Sequence, residues 1–223
     1  MENCYVYSIE KEWILDASQS IITQLSADSE FKGQASLGMS GGSTPYPLYK
    51  ALQGYLLDWS QITLVEIDER LVTPDSSEYN WGKIQESLGS IVSQSRDICA
   101  FDTQISQDPQ ELGKMMDTCL PPQLSVAVLG LGEDGHFASI FPQTDITQGR
   151  VMSVIAPSEY RTRERITLTP SYLLSAEKLI LVARGKKKKR ALDILLNQEE
   201  TEANFPALRL LQHPRLEIHY LDI

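Results

Sequence analysis

The sequence predicts an α/β fold, a Rossmann-like and mostly parallel sheet flanked by helices. Three observations predict it. Short apolar runs alternate with stretches of helical periodicity through most of the 223 residues. The runs 125–131 and 178–183 are almost continuously apolar, as in strands buried on both faces. Glycine-rich or charged segments stand directly after three of the strand-like runs, where the ligand crevice of such a sheet forms.

The elements follow in order. Trp13, Ile14, Ala17, Ile21, Ile22 and Leu25 recur at helical spacing. Residues 35–39 form a short apolar run ending in Ser40-Gly41-Gly42, and 46–57 reads as a helix. Residues 62–67 are rich in β-formers and lead into Asp68-Glu69-Arg70, with a short helix at 81–88. A helix at 110–120 is closed by Pro121-Pro122, and the buried strand 125–131 follows. Residues 151–156 and 165–169 read as further strands, and 170–176 as a short helix. The strand 178–183, a helix over 186–197 and a last strand at 216–221 complete the pattern. Strand, helix, strand in this order implies a parallel sheet. There is no internal repeat and no linker-like shift in composition, so residues 1–223 read as a single domain.

Hydrophobic residues make up 42% of the chain and charged residues 22%, as in folded globular proteins. The formal net charge of −10 opposes binding to nucleic acid or to an anionic membrane, so neither partner is expected. An anionic small molecule would need local cations to overcome that field. Cys4, Cys99 and Cys119 form no CxxC pair, so no metal or redox motif is expected, and a reducing, cytoplasmic setting fits. Glu2, Glu10, Lys11, Glu12 and Asp16 interrupt any apolar leader, and no apolar run is long enough to span a bilayer. Without a repeated apolar seam, a monomer or weak homodimer is expected.

Four segments hold residues suited to chemistry. Ser40-Gly41-Gly42-Ser43-Thr44-Pro45 joins a strand to a helix. Backbone N–H groups at Gly42, with the hydroxyls of Ser43 and Thr44, suit an anion. Taken alone, the loop is equally consistent with a capped turn. It matches neither a Walker A loop nor GxGxxG, so a nucleotide is not favoured. Asp68, Glu69 and Arg70 sit at a strand's carboxyl end, although charge clusters there are often solvated turns. Gly130-Leu131-Gly132-Glu133-Asp134-Gly135-His136 follows the most apolar strand. His136 can exchange protons near neutral pH, and Asp134 is near enough in sequence to orient it. The other histidines, His213 and His219, lie in a proline-flanked loop and a strand and read as structural. Arg165 offers a fork to a phosphate and Lys188 a point charge. The remainder of 186–190 reads as a solvated helix face.

Together these segments resemble the 6-phosphogluconolactonase family, within the group that includes glucosamine-6-phosphate isomerase/deaminase. The matching residues are Gly41–Pro45, Asp68–Asn80, Gly130–Pro142, Arg165–Thr169 and Gly185–Lys188, in order over nearly the whole chain. The resemblance implies the isomerase-group fold, hydrolysis of 6-phospho-D-glucono-1,5-lactone to 6-phosphogluconate, and neither metal nor organic cofactor. It implies phosphate binding by Gly42, Ser43, Thr44, Arg165 and Lys188. It implies His136 as the base that activates water, Asp134 holding its imidazole, and Arg70 near the lactone carbonyl. Asp68 occupies the position of the isomerases' proton-transfer acid. Thr73, Tyr79 and Phe137 depart from the family pattern, and Phe137 is expected to add bulk beside the reactive centre. Two alternatives stand beside the lactonase. An isomerase/deaminase would usually carry a carboxylate soon after the histidine, and residues 137–142 contain none. A non-catalytic sugar-phosphate regulator would need only the cradle.

Overall fold

The computed structural model describes residues 3–223. A seven-stranded parallel sheet forms its centre. In chain order the elements begin with β1 (Cys4–Tyr7), α1 (Glu10–Lys32), β2 (Ala35–Met39) and α2 (Tyr46–Leu52). They continue with β3 (Ile62–Glu66), β4 (Asp68–Arg70), α3 (Asn80–Leu88), α4 (Ile91–Gln94), β5 (Asp97–Cys99) and α5 (Pro109–Cys119). Then come β6 (Val126–Gly130), β7 (Val151–Ile155), β8 (Glu164–Leu168), α6 (Pro170–Leu174), β9 (Lys178–Arg184), α7 (Lys189–Asn197) and β10 (Leu216–Leu221). The large sheet runs β1-β10-β9-β6-β2-β3-β5, and all its pairings are parallel.

Why the apolar runs become central strands is visible in how they pack. On β6, Val126 and Val128 face the cluster built with α1, α2 and α3, while Ala127 and Leu129 face the cluster on the other side. β9 divides Ile180 and Val182 from Leu179 and Leu181 in the same way. A period of two with both faces apolar is the signature of a strand covered on both sides. Helix α1 lays Trp13, Ala17, Ile21 and Leu25, spaced four apart, against one face. It stops at Gly33, whose left-handed backbone (φ 71°) returns its N–H to the Ser29 carbonyl.

Two expectations need correction. The strands expected at 151–156 and 165–169 do form, but outside the parallel sheet. β7 and β8 pair antiparallel with each other, and β4 joins β8, giving a separate sheet of order β4-β8-β7. The connection between β7 and β8 is too short for a parallel crossover, which needs a dozen residues or more. The helix expected over 46–57 ends at Leu52. Beyond it Gly54 and Tyr55 donate to Ala51 and Leu52, three residues back, so the α-helical ladder gives way to tight turns.

Two features of this topology position the cleft. β3 and β5 extend the sheet outward from β2, whereas β9 and β10 extend it outward from β6, so the switch point lies between β2 and β6. Ile67 links the two sheets. Its N–H donates to the Met39 carbonyl, and its own carbonyl accepts from the Leu168 N–H.

Candidate active site

The loops that leave β2 and β6 diverge at this switch point, and a cleft of about 250 Å³ opens there. Gly42, Ser43, Thr44, Asp68, Arg70, His136, Arg165 and Lys188 all line it. Asp134 stands behind His136. The residues expected to bind phosphate or to carry the chemistry therefore converge on one place, Asp134 through its contact with His136.

The loop after β2 is pinned at Ser40, whose N–H donates to the Val128 carbonyl and whose carbonyl accepts from the Tyr49 hydroxyl. The next residue must be glycine, because a Cβ on Gly41 would lie 2.1 Å from the Asn80 side chain. The Ser40 hydroxyl itself is buried at the cleft without a partner among the described residues.

Asp68 and Arg70 come from β4, and Arg165 from β8 directly across it. Arg70 and Arg165 are register partners in this antiparallel pair. Like charges placed opposite each other destabilise a sheet. Arg165 is only 6% exposed, and its guanidinium lies over the rings of Phe141 and Tyr160, 5.9 and 5.7 Å from their centroids. Burial first, and then Arg70 beside it, lowers the Arg165 pKa below the usual arginine value. Among the described residues, neither arginine nor Lys188 has a carboxylate within ion-pair distance. Among the described residues Arg70 is tethered by one hydrogen bond from Nη1 to the Glu78 carbonyl (2.6 Å), and its Nε is buried with no partner there. In a chain of net charge −10, three cations without an ion-pair partner among the described residues around one cleft suit an anionic ligand.

Asp68 is held from two sides. Its carboxylate accepts from the Ser139 hydroxyl (2.7 Å) and its carbonyl from the Asn80 amide (3.0 Å). Glu69 points away from the cleft and organises its rim. Its carboxylate accepts from the backbone N–H groups of Arg70, Asn80 and Trp81 at 2.6–2.9 Å, closing the excursion between β4 and α3. Glu66 lies beside it, fully buried, with Oε2 accepting from the Phe101 N–H. Burial, reinforced by the Glu69 carboxylate, pushes the Glu66 carboxyl well up, which favours its protonated form.

A prediction follows from that proton. Glutamine reproduces protonated glutamic acid, with its amide oxygen towards Phe101 and its NH2 towards Glu69. A raised folded pKa means that the native state holds more protons than the unfolded chain, so wild-type stability falls as pH rises above the ordinary glutamate range. Glu66→Gln removes that loss. Its thermal midpoint should match wild type near pH 4.5 and exceed it increasingly towards pH 8. A variant destabilised at every pH would show that Glu66 is ionised.

His136 is fixed through the loop after β6. The Gly132 N–H donates to the His136 carbonyl (2.7 Å), and a Cβ on Gly132 would come within 2.1 Å of the imidazole Nδ1. Nδ1 lies 2.5 Å from Asp134 Oδ1. Burial alone would raise the Asp134 carboxyl, but the hydrogen bonds and charge of His136 outweigh it and hold the pKa below its ordinary value. An ionised Asp134 at Nδ1 keeps the proton on that nitrogen and leaves Nε2 with a free lone pair.

Phe137 does not crowd the cleft. Its side chain is fully buried in the core, so the bulk expected beside the reactive centre is absent, because the backbone turn at 137–140 directs it inward. Tyr79 is likewise packed in the core, and Thr73 lies exposed on the outer turn. His213 and His219 are buried, bonded to the Ala176 carbonyl and to the Tyr7 hydroxyl. Ser40, Asn80 and Tyr160 also line the cleft; sequence reasoning named Ser40 only as part of its loop and gave Asn80 and Tyr160 no role. Asn80 was visible within the motif that begins at Asp68. Tyr160 lies in a connection with no motif, and only folding brings it to His136.

Comparison with known proteins agrees with this geometry. Residues 9–218 match the family model described as glucosamine-6-phosphate isomerases/6-phosphogluconolactonase. A 6-phosphogluconolactonase of Pseudomonas aeruginosa is 34% identical over 199 residues, covering 85% of this chain and 82% of that protein. One from a Nostoc species is 30% identical over 212 residues, covering 90% and 87%. The crystal structure of 6-phosphogluconolactonase from Thermotoga maritima superposes with a TM-score of 0.82 at 25% identity, over 99% of this chain and 100% of that one. That of the Trypanosoma brucei enzyme gives 0.84 at 25% identity, over 99% and 95%. The cleft at the β2–β6 switch point and the match over almost the whole length lead to one conclusion: the chain belongs to the glucosamine-6-phosphate isomerase/6-phosphogluconolactonase family.

Proposed function

We propose that this protein hydrolyses 6-phospho-D-glucono-1,5-lactone to 6-phospho-D-gluconate. The observation that carries the reading is the cross-strand pair Arg70–Arg165, unneutralised in the same cleft as the His136–Asp134 pair. A phosphorylated lactone supplies what each feature lacks. Its phosphate sits between the loop Gly42-Ser43-Thr44 and the cations Arg165 and Lys188. His136 Nε2 takes a proton from water, and the resulting hydroxide adds to the lactone carbonyl. Arg70 stabilises the oxyanion. Collapse then breaks the bond to the ring oxygen, which receives the proton from His136. Asp134 stabilises the imidazolium in between. Asp68 offsets part of the positive field of the two arginines. Residues 137–142 hold no carboxylate to move a proton between carbons, which favours hydrolysis over isomerisation.

The test is lactone disappearance with freshly made 6-phosphogluconolactone. Wild type should accelerate it well above spontaneous hydrolysis. No acceleration, or rapid turnover of glucosamine 6-phosphate instead, would overturn the reading.

The phosphate clamp has a separate check. Lys188 lines the cleft, whereas Lys187 is exposed on the same turn. Lys188→Ala should raise KM roughly tenfold, the loss of about one charge-assisted hydrogen bond, and Lys187→Ala should leave it unchanged. Equal effects would place the phosphate elsewhere.

A further inference from the structure

Tyr160, in the connection between β7 and β8, stands where the phosphate side and the histidine side of the cleft meet. Its ring lies under the Arg165 guanidinium, 5.7 Å from the centroid. It packs at 5.0 Å against Phe141, the second ring that seats Arg165. It meets the His136 imidazole edge-on, with centroids 5.8 Å apart and planes at 85°.

The hydroxyl carries the argument. Its oxygen is 3.3 Å from His136 Nδ1. That nitrogen already donates its proton to Asp134 Oδ1 at 2.5 Å. The Tyr160 oxygen can therefore only accept the weaker branch of the same N–H, and its own proton points away from the ring. Among the described residues no other group bonds this hydroxyl. Burial, with the Asp134 charge nearby, pushes its pKa up to about 12, so it stays protonated across the working range. Tyr160 lines the cleft, and its hydroxyl proton has no acceptor among the described residues.

We propose that Tyr160 is a substrate-binding residue. Its ring seats Arg165 for the phosphate, and its hydroxyl donates a hydrogen bond to a sugar oxygen of the same substrate. This rests on the sugar-phosphate reading above, so the test measures binding, which does not depend on turnover. Titration calorimetry with 6-phosphogluconate and with inorganic phosphate separates the two roles. Tyr160→Phe keeps the ring and should weaken 6-phosphogluconate roughly three- to tenfold, the range of one neutral hydrogen bond, while phosphate affinity holds. Tyr160→Leu removes the seat as well and should weaken both ligands. Unchanged 6-phosphogluconate affinity in Tyr160→Phe, an equal loss for both ligands there, or no 6-phosphogluconate binding by wild type would overturn the proposal. Normal sugar-phosphate binding by a wild type that does not accelerate lactone hydrolysis would overturn only the lactonase reading.

Discussion

Replacing His136 with alanine is expected to lower kcat for 6-phosphogluconolactone roughly 10²–10⁴-fold, with little change in KM. The magnitude is that of one general acid–base group. The unchanged KM follows from the proposed layout of the cleft, in which the phosphate is held by the 42–44 loop, Arg165 and Lys188 and not by His136. The imidazole sits at the edge of the core, packed on one side against Phe141 and Tyr160 and partly exposed on the other. It is anchored by the turn from Gly132 to His136 and by Asp134, so its loss should leave the thermal midpoint near wild type. The assay must resolve enzymatic from spontaneous hydrolysis, and an initial-rate series over enzyme concentration does so. A kcat within a few-fold of wild type would show that another group activates water.

The second large effect belongs to Arg165→Met, and its signature is a split between affinity and stability. Arg165 is a buried cation opposite Arg70, with no ion-pair partner among the described residues. Truncating one member of a buried charge pair generally costs 2–5 kcal/mol in binding, so KM should rise about 30-fold or more. In the free protein the same change removes a desolvated charge and a like-charge contact, while methionine keeps much of the packing against Phe141 and Tyr160. The thermal midpoint without ligand should therefore hold or rise. Inorganic phosphate, which should stabilise wild type by binding the folded state, should lose that effect in the variant. A variant that unfolds easily but binds phosphate normally would make Arg165 a structural residue.

These two predictions draw on different depths of information. His136 could be picked out from its segment, because glycines, an aspartate and a histidine directly after an apolar strand carry their meaning locally. Arg165 could be named from its motif, but the reason it needs an anion could not. That reason is its pairing with Arg70, and the two are nearly a hundred residues apart. Phe137 shows the opposite failure. Its neighbour in sequence is His136, which lines the cleft, yet its own side chain faces the core, since adjacent residues in a turn can point in unrelated directions.

The central strands and α1 could be read from periodicity, as could the places where the loops gather. Those features arise from side chains a few residues apart, which repeat on one face or alternate between two. The short edge strands β1, β5 and β4 could not be read that way. They hold three or four residues each, and β4 is wholly charged, so their extended form depends on a neighbouring strand offering hydrogen bonds. The antiparallel sheet, the unneutralised arginine pair and the approach of Tyr160 to His136 arise in the same way. Each joins segments distant along the chain, and only the packed fold brings their charges and hydrogen-bonding groups within reach of each other.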